Sequence, residues 1–127
     1  MRDSIDNYSV CVIGLGFVGL TLASIMSDVG FKVHGIEKKK FIIKKLKKKK
    51  SHFYEPKLNE LLSKIINQKK FTFSNRIKNN QKNNIYIITV GTPLNDKKQI
   101  ITKYIKETCE AISKKLNDDD IVILRST

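Results

Sequence analysis

Apolar residues along this chain fall into two alternating patterns: short uninterrupted runs, and longer segments in which they recur every three or four positions. Residues 9–14 read Ser-Val-Cys-Val-Ile-Gly, a continuous run of the kind buried on both faces of a parallel sheet. Residues 17–29 place Val18, Leu22, Ile25, Met26 and Val29 at helical spacing, with Gly30 positioned for the left-handed conformation just past a helix end. A strand followed by a helix with those five residues inward is predicted. Residues 31–37 read as a second strand around Val33 and Ile36 that stops at Glu37. Over 39–50, Ile42, Ile43 and Leu46 lie on one side of a helix whose lysines face water. Glu55-Pro56 then opens a third helix with Leu58, Leu61, Leu62, Ile65 and Ile66 as its stripe, since proline donates no hydrogen bond and suits a first helical turn.

The second half continues in the same manner. A short strand over 71–74 and a polar loop over 75–84 precede the β-branched run 85–90, which Gly91-Thr92-Pro93 ends. Residues 101–116 predict a helix with Ile101, Ile105, Cys109 and Ile112 on its buried side, and Asp118, Asp119 and Asp120 turn the chain into a strand over 121–124. The order β-α-β-α-α-β-β-α-β, with no repeat and no low-complexity linker, predicts parallel pairing through right-handed crossovers. The expected fold is therefore a doubly wound parallel α/β sheet, one domain over residues 1–127, a length sufficient for a single core.

Charge changes this picture only locally. The formal net charge is +13, large enough to raise the question of a polyanionic partner. The basic residues are 22 Lys and 3 Arg, whereas base readout and bidentate phosphate gripping favour Arg. Lys, Ile and Asn make up 50 of the 127 residues, and nine lysines with no acid fall within residues 38–50, leaving +4 on the rest. A solvated helix face accounts for that run, and no nucleic-acid partner is expected. Cys11 and Cys109 are too few for a zinc site or disulfide scaffold, so no metal and a reduced, cytoplasmic setting are expected. No apolar stretch approaches the roughly 20 residues that span a bilayer.

Chemistry enters at the first strand–helix junction. Gly14-Leu15-Gly16-Phe17-Val18-Gly19 is a Gly-x-Gly-x-x-Gly pattern between a predicted strand and a predicted helix, the context in which it signals dinucleotide binding. Gly14 permits the tight turn, Gly16 lets a pyrophosphate approach the backbone, and Gly19 lets the helix pack close. The helix N-terminus offers N–H groups and a positive dipole end to the anion. Glu37 ends the second strand 18 residues after Gly19, near the separation expected for the acid that receives an adenosine ribose, and its charge favours NAD over NADP. Lys38, Lys39 and Lys40 beside it leave open a contact to a 2′-phosphate or the adenine rim. The competing reading, glycines that serve only a turn and an ordinary surface acid, leaves the order of strand, glycines, helix and acid unexplained.

With these motifs in hand, the chain resembles the amino-terminal domain of the UDP-sugar 6-dehydrogenases, the UDP-glucose and UDP-N-acetylmannosamine dehydrogenase family. Four segments carry the resemblance in the family's order: Val12-Ile-Gly-Leu-Gly-Phe-Val-Gly-Leu20, Glu55-Pro56-Lys-Leu-Asn-Glu-Leu-Leu62, Ile88-Thr-Val-Gly-Thr-Pro93 and Ile121-Val-Ile-Leu-Arg-Ser-Thr127. The resemblance implies a Rossmann-type domain that binds NAD. It further implies an enzyme that oxidises the C6 hydroxyl of a UDP-sugar to a carboxylate in two hydride transfers, through an aldehyde captured by a cysteine thiol. Residue by residue, Gly14, Gly16, Gly19 and the Phe17 and Val18 amides would hold the pyrophosphate, and Glu37 the ribose. Thr92, Pro93 and Ser126 would line the cofactor crevice, and Thr127 would help position a catalytic water.

Departures from the family pattern are also visible. Gly91 stands where the family has Pro or Asn, Glu37 where it has Asp, and Ile42 where a basic residue commonly follows that acid. The nucleophilic cysteine and an associated lysine belong to a later segment. Cys11 and Cys109 read as small core residues, and neither His34 nor His52 has a catalytic arrangement in sequence. The expectation is thus a chain that forms the first part of a longer, homo-oligomeric enzyme and does not turn over alone. The alternative is a stand-alone nucleotide-binding module.

Overall fold

The computed structural model describes residues 5–77 and 83–125. Five strands, β1 (Ser9–Ile13), β2 (Lys32–Ile36), β3 (Phe71–Ser74), β4 (Asn84–Ile88) and β5 (Ile121–Leu124), alternate with four described helices. These are α1 (Phe17–Asp28), α2 (Lys40–Lys47), α3 (Leu58–Asn67) and α4 (Lys103–Ser113). The strands form one sheet in the order β3-β2-β1-β4-β5, and every pairing is parallel. Strand order reverses direction at β1, between β2 and β4, so a crevice opens at the carboxyl ends of β1 and β4, where open α/β sheets bind ligands.

Pleat alternation divides the core. Val10, Val12, Val33, Phe71 and Ile87 point to one face and pack with Leu20 and Ala23 of α1, Ile42 and Leu46 of α2, and Leu58, Leu62 and Ile65 of α3. Cys11, Ile13, Ile36, Tyr86 and Ile88 point to the other and pack with Ile112 of α4. Helices on both faces make the sheet doubly wound, as the sequence predicts. His34 is fixed within the sheet, its ring nitrogens 2.7 Å from the Thr72 hydroxyl and 2.8 Å from that of Ser74 on β3.

Three sequence expectations are corrected. In α1 the buried residues are Gly19, Leu20, Ala23, Ser24 and Ser27; Val18, Ile25 and Val29 are exposed, and Leu22 and Met26 are half-buried. The helix lies against the sheet through its small residues. The Ser24 and Ser27 hydroxyls donate to the Leu20 and Ala23 carbonyls at 2.7 and 2.8 Å, which removes the penalty of burying them. In α4 the buried residues are Thr108 and Ile112, and Cys109 is exposed. Thr108 likewise satisfies its hydroxyl on the Tyr104 carbonyl at 2.8 Å. Finally, Pro56 precedes α3 rather than opening it: residues 55–58 form a turn closed by the Leu58 amide on the Glu55 carbonyl at 3.1 Å. Lys57 is left-handed there, with φ 63°.

Candidate functional site

The glycine turn lies at the carboxyl end of β1, and each glycine answers a different constraint. Gly14 has φ +96°, and a Cβ there would stand 2.9 Å from the Val90 nitrogen and 3.0 Å from the Thr89 carbonyl. Gly19 faces the turn so closely that a Cβ would collide with the Gly14 carbonyl oxygen and lie 2.5 Å from the Thr89 hydroxyl. Gly16 is the opposite case, with nothing within 4 Å of an added Cβ. The backbone at Gly16 thus borders open space. Gly16 is also the N-cap of α1, and no side chain caps that helix. First-turn N–H groups have no intrahelical acceptor, so Phe17, Val18 and Gly19 offer donors and the positive end of a dipole to that space. A pyrophosphate fits this cradle.

Thr89, which the sequence reading passed over, locks the turn. Its hydroxyl lies 2.7 Å from the Gly14 carbonyl and 3.0 Å from that of Ile13, while its amide donates to Ile13 at 2.9 Å. The only sequence signal is a hydroxyl residue at the end of an otherwise apolar run, immediately ahead of the Val90-Gly91-Thr92-Pro93 exit.

Glu37 stands at the end of β2, as the spacing predicts, but its carboxylate serves the protein as well. One oxygen accepts the Leu15 amide at 2.9 Å and the other the Lys39 amide at 3.0 Å. It therefore fastens the glycine turn to the start of the lysine helix. A carboxylate offers about four lone-pair positions, so acceptor capacity remains for ribose hydroxyls.

The other expected residues divide. Phe17 is exposed at the start of α1 and packs on Phe53, ring centroids 5.0 Å apart. Thr92 is half-buried and Pro93 exposed, beyond the end of β4 and so at the same carboxyl end of the parallel strands as the turn. The Ile101 amide donates to the Pro93 carbonyl at 2.8 Å and Leu94 bridges Ile100, which folds the exit from β4 into a short antiparallel loop. Ser126 and Thr127 lie outside the described residues.

Neither cysteine is set as a nucleophile. Cys11 is buried in β1, and burial pushes its thiol up to about 12. Cys109 is exposed on α4, on the outer side of the helix that packs against the sheet. His52 has its Nδ1 buried without a hydrogen-bond partner. Burial lowers its pKa from the ordinary histidine value, while Glu37 acts to raise it and Lys39 and Lys45 to lower it further.

A parallel sheet with a glycine turn at its switch point, an uncapped helix end and an acid on the neighbouring strand defines a dinucleotide-binding α/β protein. Residues 8–127 match the UDP-glucose/GDP-mannose dehydrogenase family, NAD binding domain, and the chain belongs to that family. It is 32% identical over 120 residues to UDP-glucose 6-dehydrogenase of Rickettsia typhi, covering 94% of this chain and 28% of the relative. It is 34% identical over 122 residues to UDP-N-acetyl-D-mannosamine dehydrogenase of Campylobacter jejuni, covering 93% and 28%. Among solved structures, GDP-mannose dehydrogenase of Pseudomonas aeruginosa aligns with a TM-score of 0.85 at 26% identity, over 93% of this chain and 28% of that one. The chain thus spans little more than a quarter of the length of these relatives.

Proposed function

We propose that this chain is the cofactor-binding part of a nucleotide-sugar 6-dehydrogenase that oxidises the C6 hydroxyl of a UDP-sugar to a carboxylate. The observation that carries the reading is the glycine turn, in which Gly14 and Gly19 are closed against Thr89 while Gly16 alone borders open space. That division of roles is the one a bound pyrophosphate requires. NAD would supply the hydride acceptor. The Phe17, Val18 and Gly19 amides would bind the pyrophosphate, and Glu37 would orient the adenosine ribose while its charge disfavours a 2′-phosphate. Thr92 and Pro93 would border the crevice on the β4 side. Ser126 and Thr127 are assigned, on the resemblance of the carboxyl-terminal segment, to the crevice and to a water next to the reacting carbon.

The thiol that would capture an aldehyde is not supplied by Cys11 or Cys109: one is held protonated in the core, and the other faces away from the sheet. The residues described here would accordingly bind and orient, with turnover requiring a cysteine from further along the polypeptide. Titration of NAD and NADP against this chain tests the cofactor assignment, with tighter binding of NAD expected and equal or reversed affinities counting against it. Assay of the protein bearing the downstream thiol, with UDP-glucose and UDP-N-acetylmannosamine, tests the reaction; two NADH formed per sugar oxidised is the expected stoichiometry.

A further inference from the structure

The lysines of residues 38–50 are denser than composition explains: nine fall in those 13 positions, against 13 in the other 114. The fold also orients them. Ile42 and Leu46 are buried in the core, which turns Lys40, Lys44, Lys45 and Lys47 of α2 to solvent. Lys38 pairs with Glu107 at 3.6 Å. Among the described residues, no acid lies within ion-pair distance of the other eight.

A row of rings ties this face to the phosphate turn. Phe41 of α2 stands edge-on to His52 with centroids 6.1 Å apart, and His52 edge-on to Phe53 at 4.9 Å. Phe53 packs in turn on Phe17, the first residue of α1. The charges of Lys39, Lys45 and Glu37 all bear on the His52 ring, and Glu37 holds the Leu15 amide inside the turn. The lysine helix is thus joined through Phe41, His52 and Phe53 to Phe17 at the start of α1, which sets its charged face beside the cradle.

We propose that the lysine face of α2 is an electrostatic capture surface for anionic nucleotides, and that it holds the reduced dinucleotide more strongly than the oxidised one. This rests on the dinucleotide reading above. An oxidised nicotinamide ring carries a positive charge that the reduced ring lacks, so the two forms present the same pyrophosphate but differ by one unit of net charge. A field from mobile ammonium groups discriminates between them on that charge alone. A nucleoside diphosphate sugar, whose pyrophosphate charge is uncancelled, is drawn as NADH is. Lysine suits this task, being a hydrated point charge rather than a geometric clamp.

The test compares NADH and NAD binding, by rapid mixing and by equilibrium titration, in the parent and two variants that each lose two charges. Lys44→Gln/Lys45→Gln alters α2; Lys106→Gln/Lys114→Gln alters α4 and its C-cap on the opposite face of the sheet. Steered association is worth about 10–1,000-fold in strongly charged clefts, so losing two lysines at low salt should cost roughly 3–10-fold in NADH association rate. NADH affinity should fall more than NAD affinity, the α4 variant should stay close to the parent, and all three should converge near 1 M salt, where the screening length is about 3 Å. Equal losses from α2 and α4, equal losses for NADH and NAD, or an α2 variant that binds like the parent would each overturn the proposal. RNA binding with a steep salt slope, alongside dinucleotide rates that do not vary among the three proteins, would assign the face to nucleic acid instead. Failure of the parent to bind either dinucleotide would remove the cofactor reading itself, and this inference with it.

Discussion

The carboxylate of Glu37 holds the Leu15 amide at 2.9 Å, so the acid at the end of β2 is a structural member of the glycine turn. Its second oxygen holds the Lys39 amide at 3.0 Å. Glu37→Gln keeps one acceptor but sets an NH2 group against a backbone donor. Hydrogen bonds to charged groups are worth about 1.5–3 kcal/mol, and this half-exposed carboxylate should deliver the lower end. A loss of about 1.5 kcal/mol in urea denaturation is expected, together with weaker NAD binding and a narrower preference for NAD over NADP. An unchanged preference would remove the charge of Glu37 as its cause.

Two glycines separate stability from binding. Gly19→Ala drives a Cβ into the Gly14 carbonyl and toward the Thr89 hydroxyl. Backbone cannot give way as a flexible side chain would, so a loss of about 2–4 kcal/mol is expected, at the severe end of overpacking. Gly16→Ala meets nothing within 4 Å and should shift stability by under about 1 kcal/mol, yet its methyl occupies the space where a pyrophosphate would lie. Thermal melts with and without NAD read both effects. A Gly16→Ala protein stabilised by NAD as much as the parent would place the phosphates elsewhere.

Two helices end on a lysine in the conformation glycine prefers. Lys49 and Lys69 have φ of 60° and 58°. In each case the next residue reaches back across the helix end, Lys50 to the Lys45 carbonyl at 2.9 Å and Lys70 to that of Ile65 at 3.0 Å. This is the Schellman geometry. A left-handed residue with a Cβ costs roughly 1–2 kcal/mol, offset in part by the extra chain entropy of glycine. Lys49→Gly and Lys69→Gly should each stabilise by about 0.5–1 kcal/mol, measured as a higher urea midpoint at unchanged slope.

These helix ends mark the boundary of what the sequence makes legible. All five strands and the four described helices follow from apolar patterning: the run 86–88 is buried in the parallel sheet, and β5 at the sheet's edge carries the same kind of run although its four residues are exposed. The inner face of α1 does not follow. Hydropathy points to Val18, Ile25 and Val29, but the helix approaches the sheet so closely at Gly19 that Ala23, Ser24 and Ser27 are what fit. Serines satisfied by their own helix carry no hydropathy signal. Glu37 was legible as an acid at the right distance; its bonds to Leu15 and Lys39 depend on a side-chain rotamer and were not. Thr89 was hidden for a related reason, since its importance lies in facing Gly14 across 75 residues of sequence.

The cysteines give a readout of the corrected α4 face. Cys11 is buried with its thiol pushed up to about 12, so almost no thiolate exists at neutral pH, and thiolate is the reactive form. Cys109 is exposed. A thiol-reactive dye should modify one cysteine per native chain, identified by peptide mapping as Cys109, and both after denaturation. Protection of Cys109 in the native protein would return it to the core.

His52 supplies the pH dependence. Burial first, then Lys39 and Lys45, hold its folded pKa below the ordinary 6.5, against an opposing pull from Glu37. The unfolded chain therefore binds more protons at this site as pH falls through that ordinary value, and stability at this site is lost in the acid direction. It is fully present above about pH 7.5, where the imidazole is neutral in both states. His52→Phe removes the titration and the unpartnered Nδ1, while keeping a ring between Phe41 and Phe53. Urea midpoints at pH 5.5 and 7.5 should differ more for the parent than for the variant. At pH 7.5 the variant should match or exceed the parent, because a buried ring nitrogen without a partner has been replaced by carbon. Equal pH slopes in the two proteins would show that His52 titrates alike in the folded and unfolded chain.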